Sequence, residues 1–508
     1  MGHEIAFGVI LSLYVTSSVL LYIYGINSYV MIWLFMKTRK RRETEERLLA
    51  ETTGAASEQQ LPIVTTQLPV YNERHVIERL IRSVAALEYP RDKHEIQVLD
   101  DSTDDTPQIA AAVIDELRED GYWIHHIRRT ERAGYKAGAL AEGMKRASGE
   151  HLAIFDADFV PQPDFLMKTI PYLLADDRCG FVQTRWGHRN RGISYLTFAQ
   201  SIGIDGHFVV EQPARAWSGL FFNFNGTAGV WRRSAIEDAG GWTADTLTED
   251  LDLSYRTLLS GWRARYLLNV VTPAEVPTNI NALKSQQRRW AQGSIETAMK
   301  LLPVLWKRRD FSLFRRLQAT IHLTHYFIHP LILLITILVL PLLLLIPHEM
   351  KGAYVAPLIA MMFLALLGPS TLYVFSQGVS GGSWLRTVFW MPALMALGIG
   401  LAVNNTRAVF NGLRRKAIPF ERTPKLGAYA EQSSLLRQKI PIPGSYTQPL
   451  EWTYAFEIAT GIWAGAAFIE SMKTMNGSGS AFLLIQTIGF LFVGIMSLRH
   501  SRLYGRSA

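Results

Sequence analysis

Two aspartates one residue apart, Asp156 and Asp158, close the short apolar run His151 to Phe155. Carboxylates so placed at a strand end can both reach a hard divalent cation, directly or through water, and such a cation also grips substrate phosphates. Strand-end acids that only face water look the same in sequence. Lys136 opens a helical pattern in Gly134-Tyr135-Lys136-Ala137-Gly138, where its ammonium and the helix N-terminus both favour phosphate. A solvated surface lysine is the alternative. Leu247-Thr248-Glu249-Asp250 presents a carboxylate at a helix start, able to deprotonate a hydroxyl that attacks a sugar's anomeric carbon, or simply to cap the helix. Gln286 and Arg289 lie three apart on one helical face, with Trp290 beside them. Arginine suits a departing diphosphate and indole a sugar ring, although an interfacial helix also carries Arg and Trp. Tyr71 can lie flat on a nucleobase while Glu73 and Asp101 accept hydrogen bonds from base or ribose; turns favour similar residues.

These groups need a frame that gathers them. Between Leu61 and Phe159 short apolar runs alternate with helical patterns: Ile63 to Leu68 then a helix from Arg74, Glu95 to Leu99 then one from Pro107, Tyr122 to Ile127 then one from Tyr135, and His151 to Phe155 then one from Pro163. Strands alternating with helices predict an α/β domain with a parallel, doubly wound sheet. Such sheets bind ligands beyond the carboxyl ends of the strands, where the winding reverses. Tyr71, Asp101 and Asp156 all come directly after a strand on this assignment. Neither Gly-x-Gly-x-x-Gly nor Gly-x-x-x-x-Gly-Lys-Ser/Thr stands at the first turn, which weakens dinucleotide and P-loop assignments. The single cysteine, Cys179, excludes a disulfide scaffold and a cysteine-cluster metal site, so any catalytic metal takes oxygen or nitrogen ligands.

The rest of the 508 residues is apolar. Only 19% of the chain is charged, against a usual share of about 25%, and the mean hydropathy is +0.08, which rules out a disordered chain. No Asp, Glu, Lys or Arg occurs from Ile5 to Met36, more than the roughly 20 residues a span requires. Lys37, Arg39, Lys40, Arg41 and Arg42 come immediately after that run, so the positive-inside bias sets the chain beyond them in the cytoplasm. Further apolar runs occupy 317–348, 352–385, 387–406, 452–472 and 480–498. If all of them crossed, the basic segment from Arg407 to Lys425 would face outside. The run from Thr387 to Val403, short and holding Pro392, Gly398 and Gly400, is therefore expected to be interfacial or re-entrant. Glu457, inside the 452–472 run, is either an intramembrane functional acid or an interfacial one. The net charge of +8 concentrates beside the spans, where anionic lipid accounts for it; no nucleic-acid partner is expected.

Tyr71-Asn72-Glu73, Asp100-Asp101, Asp156-x-Asp158, Thr248-Glu249-Asp250 and Gln286-x-x-Arg289-Trp290, in this order and flanked by spans, resemble the processive family 2 glycosyltransferases typified by cellulose synthase. Lys136 to Met144, Phe155 to Phe159, Asn225 to Arg232 and Gly240-Gly241-Trp242 look closer to the plant cellulose-synthase-like A and C groups, which make mannan, glucomannan or glucan backbones. The resemblance covers roughly 61–300. It implies a glycosyltransferase-A-type domain in which Asp156 and Asp158 bind Mg2+ or Mn2+ with the diphosphate and Asp250 is the general base. By the same resemblance Gln286, Arg289 and Trp290 hold the acceptor end and leaving group, and Tyr71, Glu73, Asp100, Asp101 and Lys136 hold the nucleotide, with Glu249 among the substrate-binding residues. Phe420 to Lys425 is similar to the gating loop of that family, which would place Thr423 and Lys425 at the nucleotide; Arg422 and Pro424 depart from its pattern. The chain ends soon after its last apolar run, so a cyclic-dinucleotide regulatory domain is not expected.

The organisation expected is an N-terminal transmembrane helix at 1–36, a basic linker at 37–60, a cytoplasmic glycosyltransferase domain at 61–300, an interfacial helix at 301–320, two transmembrane helices within 321–380, an interfacial or re-entrant helix at 385–413, a gating-type loop at 414–450, two more transmembrane helices within 451–498 and a cytoplasmic tail at 499–508. The function expected is inverting transfer of hexose from GDP-mannose or UDP-glucose to a growing β-linked polysaccharide, secreted through the protein's own channel in the plasma (inner) membrane. The partners are then the nucleotide sugar, the glycan and membrane lipids. The rival is a single-transfer enzyme that glycosylates ceramide, diacylglycerol or polyprenyl phosphate; a binding protein on an inactive transferase fold is disfavoured because all the acids are present.

Overall fold

The computed structural model describes residues 2–53, 61–346, 351–416, 450–474 and 480–504. A long helix, α1 (Gly2–Thr53), leads into an α/β domain made of β1 (Val64–Val70), α2 (Ile77–Ala85), β2 (His94–Asp100), α3 (Thr106–Glu119), β3 (Ile124–Arg128), α4 (Tyr135–Arg146), β4 (His151–Ile154), α5 (Phe165–Leu174), β5 (Cys179–His188), α6 (Tyr195–Asp205), α7 (Gln212–Trp217), β6 (Gly229–Arg232), α8 (Arg233–Asp238), α9 (Glu249–Leu259) and β7 (Arg263–Ala274). Beyond it come the helices α10 (Ile280–Lys307), α11 (Leu313–Thr324), α12 (Ile328–Leu345), α13 (Lys351–Val379), α14 (Trp384–Gly400), α15 (Ala402–Leu413), α16 (Thr453–Thr474) and α17 (Ser480–Tyr504).

The seven strands form one sheet in the order β3-β2-β1-β4-β6-β5-β7. β1, β2, β3 and β4 run parallel, and residues along β1 and β2 are buried almost throughout, as helices on both faces require. Winding goes one way from β1 to β3 and the other way to β4, which opens a crevice at the carboxyl ends of β1 and β4. The expectation of a parallel sheet needs correction beyond β4: β6 is antiparallel to both β4 and β5. The alternating pattern stops at Phe159, and β6 enters the sheet from a long excursion through α6 and α7. Gly229 permits it, because a Cβ there would stand 2.3 Å from the Val182 carbonyl oxygen.

Three helical stretches among the described residues are long and apolar enough to cross a membrane: Glu4–Glu45, Leu313–Leu345 and Ser480–Ser501. The expected interfacial helix at 301–320 is two elements. α10 ends at Lys307, and α11 starts afresh where the Ser312 side chain accepts a hydrogen bond from the Arg315 amide at 3.2 Å. The 385–413 segment is α14 and α15, bent by 41° at their junction. One end of this pair rests on α6 of the α/β domain, with the Trp390 ring 5.7 Å from Tyr195. The other end meets α10, where a Cβ on Gly412 would stand 2.9 Å from the Gln292 carbonyl oxygen. Between them α14 packs on α17 through small residues, Gly400 facing Gly489, the kind of contact that brings apolar helices close. Thr423 and Lys425 lie outside the described residues.

Candidate active site

One cleft opens at the carboxyl ends of β1 and β4 and is closed by the start of α9 and by α10. Tyr71, Glu73, Asp101, Lys136, Asp156, Asp158, Glu249, Asp250, Gln286, Arg289 and Trp290 all line it. These side chains come from six places in the chain, and bonds between neighbouring loops hold several of them. Asn72, in the left-handed region at φ 56°, which asparagine tolerates, clips the loop after β1 to the loop after β2. Its amide donates to Ser102 Oγ at 2.8 Å and its Oδ1 accepts from the Thr103 amide at 2.8 Å. Asp101 is held by Arg129, whose Nε donates at 2.8 Å. The Asp156 amide donates to Thr227 Oγ1 at 2.8 Å, tying the Asp-x-Asp turn to the Asn225-Gly226-Thr227 loop.

Lys136 sits at the centre. Its Nζ lies 2.5 Å from Asp156 Oδ1 and donates to the Gly226 carbonyl at 2.9 Å. Gly226 is also the floor between that ammonium and Asp250: at φ +79° it adopts a conformation that side chains rarely take, and a Cβ there would stand 3.0 Å from Asp250 Oδ2 and 3.3 Å from Lys136 Nζ. Burial works against the Lys136 charge, but Asp156, then Glu249 and Asp250, outweigh it and hold its pKa above the usual value. Burial raises the Glu249 carboxyl despite Lys136. Burial, and after it the charge of Glu249, pushes Asp250 up to about 7. A carboxyl poised there can take a proton at neutral pH.

Asp100 is the expected site residue that does not line the cleft. It is buried, accepting a hydrogen bond from the Ser102 amide at 2.8 Å and pairing with His126 Nε2 at 2.9 Å. Consecutive side chains on an extended strand point to opposite sides, so only Asp101 reaches the cleft. One face of the Tyr71 ring is covered by the Arg132 guanidinium, 3.3 Å from the ring centroid. Arg132, Trp186, His188, Asn225, Gly226 and Glu275 also line the cleft and were not expected. Asn-Gly at 225–226 was the available signal, since that pair marks a tight turn.

A family model described as cellulose synthase matches 232–419, and one described as glycosyltransferase like family 2 matches 62–293, a range containing every cleft residue named above. Glucomannan 4-beta-mannosyltransferase 1 of Cyamopsis tetragonoloba is 31% identical over 94% of this chain and 90% of its own. The chain belongs to the cellulose-synthase-like glycosyltransferases of family 2. Glucomannan 4-beta-mannosyltransferase 9 of Arabidopsis thaliana is also 31% identical, over 85% of this chain and 80% of its own. With glucomannan 4-beta-mannosyltransferase 1 of Oryza sativa subsp. japonica the identity is 37%, but the match spans 60% of each chain, and this chain spans about half the length of several other curated relatives it matches. Among solved structures, the mannosyltransferase PcManGT from Pyrobaculum calidifontis, in complex with GDP-Man and Mn2+, aligns with 21% identity over 78% of this chain and all of its own, at a TM-score of 0.47.

For a glycosyltransferase of this family, the donor set in the cleft fits a hard cation. Asp156 and Asp158 bring carboxylate oxygens from one turn, and among the described residues no third His, Cys, Asp or Glu completes a protein-only cage. A magnesium-type ion binds in that way, through one or two carboxylates with substrate phosphates supplying further oxygens.

The cleft side formed by α10 depends on how closely that helix approaches α9. A Cβ on Gly293 would stand 2.7 Å from the Thr248 amide nitrogen, so only glycine lets the helix carrying Gln286, Arg289 and Trp290 reach the Thr248-Glu249-Asp250 turn. Gly293→Val is expected to push these two elements apart by about 1 Å and to lower kcat roughly a hundredfold. Donor binding, measured by titration with the nucleoside diphosphate, is expected to stay within about threefold of wild type.

Proposed function

We propose that the protein is an inverting, cation-dependent mannosyltransferase that extends a β-1,4-linked, mannan-type polysaccharide at the inner face of a membrane. The observation that carries this is the convergence of Asp156, Asp158, Lys136 and Asp250 with Gln286, Arg289 and Trp290 around one cleft. The choice of mannosyl donor is supported by the relatives' names and by the extent of the match with the Cyamopsis protein.

In the mechanism, Asp250 takes the proton from the acceptor hydroxyl as its oxygen attacks the donor's anomeric carbon. The bond from that carbon to the diphosphate breaks on the opposite face, so configuration inverts. Lys136 offers a cationic hydrogen-bond donor to the departing diphosphate, and Arg289, beside Gln286 on α10, offers one to the acceptor's hydroxyls. Trp290 presents its indole to the acceptor sugar, and Arg132 with Tyr71 forms one wall for the nucleotide. Asp156 and Asp158 would hold a divalent cation, which when bound would supply the positive charge that a diphosphate leaving group requires.

The membrane setting is supported by the three long apolar stretches and by apolar side chains exposed on α11 and α14, among them Leu313, Phe314, Trp384 and Phe389, which suit the interface plane. The basic end of α1 meets the α/β domain, with Phe35 stacked on Trp217 at 5.4 Å, which together with the positive-inside bias supports a cytoplasmic cleft. Helices α1, α7, α11, α12, α13, α14 and α17 contribute to a second cavity, with Asn27, Glu211, Arg215 and Gln486 among its polar groups.

Purified protein in detergent, given GDP-mannose or UDP-glucose with Mg2+ or Mn2+, is expected to release nucleotide fastest from GDP-mannose and to yield a long product cut by a β-1,4-mannan hydrolase. A lipid-soluble monoglycoside as the sole product would overturn the polymerase assignment.

A further inference from the structure

Helix α10 has two working faces. Gln286, Arg289, Trp290 and Gly293 succeed one another at helical spacing on the cleft side, while Asn281, Lys284, Arg288 and Gln292 form a second stripe at helical spacing. Every member of that second stripe is bonded to the helices beyond the α/β domain or to the residues flanking them. Asn281 Nδ2 donates to the Ser497 carbonyl on α17 at 3.1 Å. Arg288 pairs with Glu451, which also holds Arg407 of α15 at 2.6 Å. Gln292 Nε2 donates to the Lys416 carbonyl at 2.8 Å.

Lys284 is the most enclosed of them. Its ammonium lies 2.7 Å from Glu457 Oε1 on α16, 3.1 Å from Thr453 Oγ1 on α16 and 3.2 Å from Ser497 Oγ on α17. Its carbonyl accepts from Asn404 Nδ2 of α15 at 3.0 Å. The Lys284 side chain is 5% exposed and that of Glu457 not at all. A buried ion pair adds little net stability over an apolar pair, but its directional bonds specify one geometry. None of its atoms reaches the cleft.

We propose that Lys284 and Glu457 are positioning residues for the acceptor side of the cleft: the pair fixes the register of α10 against α16 and α17, and so sets where Gln286, Arg289 and Trp290 hold the end of the growing chain. The donor side is independent of it, because Tyr71, Asp101, Lys136, Asp156 and Asp158 stand on β1, β2, β4 and α4 or directly after them. This rests on the glycosyltransferase assignment of the cleft.

The full-length protein in detergent separates the two sides. Glu457→Gln is expected to lower kcat/KM for a glycan acceptor about tenfold, mostly through KM, and to shorten the product. Nucleoside-diphosphate affinity and hydrolysis of the donor by water in the absence of acceptor are expected to stay within about twofold. Because a lone buried ammonium can unfold the seam, the double variant Lys284→Met/Glu457→Leu is measured beside it. With both charges gone, its melting temperature is expected to return to that of wild type while the acceptor defect persists, since the bonds to Thr453 and Ser497 that set the register are lost. Wild-type acceptor KM and product length in the folded double variant would overturn the proposal. So would a parallel fall of acceptor transfer, donor affinity and donor hydrolysis. Failure of the wild-type protein to hydrolyse or transfer from any nucleotide sugar would instead strike the cleft assignment itself.

Discussion

Asp250→Asn is expected to lower glycosyl transfer by about a thousandfold, the middle of the range for loss of a general base, while leaving nucleotide affinity nearly unchanged. The side chain keeps its shape and loses only the ability to take a proton. The same group predicts a pH dependence. With Asp250 raised to about 7 by burial and then by Glu249, kcat/KM for the acceptor, which reports the free enzyme, is expected to fall as pH drops through about 7. Stability responds with the opposite sign. A carboxyl whose folded pKa lies above its ordinary value of about 4 binds its proton more tightly in the native state. Its ionised form therefore costs stability fully above about pH 7, progressively less below, and not at all below about pH 4. Asparagine carries no such cost, so the variant is expected to melt higher than wild type at pH 8, with the gap closing toward pH 4. A variant that transfers well, or that melts lower at pH 8, would remove Asp250 from the proposed role.

The second large effect is expected at Asp158, the more enclosed of the paired aspartates and 3% exposed. Asp158→Asn removes one of the two carboxylates proposed to hold the cation, and Lys136 is already engaged with the other, Asp156, at 2.5 Å. Loss of a metal-ligating carboxylate leaves the diphosphate charge uncompensated, and transfer is expected to fall at least a hundredfold. Donor affinity is expected to lose its dependence on Mn2+, so that titrations with and without the ion coincide. The wild-type protein is expected to bind the donor more tightly with Mn2+ than with chelator. An Asp158→Asn protein that keeps this Mn2+ response would place the ion elsewhere.

The α/β frame was legible up to Phe159 because β1, β2 and β4 are short apolar runs, each leading into a turn and a helix, and periodicity alone reveals that arrangement. It was not legible for β5 to β7. β6 has four residues, Gly229–Arg232, and its antiparallel place depends on contacts with strands far away in sequence. The cleft was legible in its acids and its Gln-x-x-Arg-Trp stripe, since residue type and spacing carry their chemistry. Asp100 shows the limit: Asp100-Asp101 reads as a pair, yet strand alternation sends the first to His126 and only the second to the cleft. Arg132 against Tyr71, Gly293 against Thr248 and Lys284 against Glu457 are meetings across long stretches of chain, and no local pattern announces them. Glu457 itself was visible as an acid in an apolar run, but its partner was not.

The most direct measurement is a structure of the full-length protein with Mn2+ and a nucleoside diphosphate, with the ion located by its anomalous scattering. The account predicts one manganese peak within bonding distance of an Asp156 or Asp158 oxygen and of the diphosphate, with the nucleotide beside Tyr71 and Asp250 facing the open acceptor side. A diphosphate bound away from this cleft, or a manganese ion coordinated by neither aspartate, would contradict it.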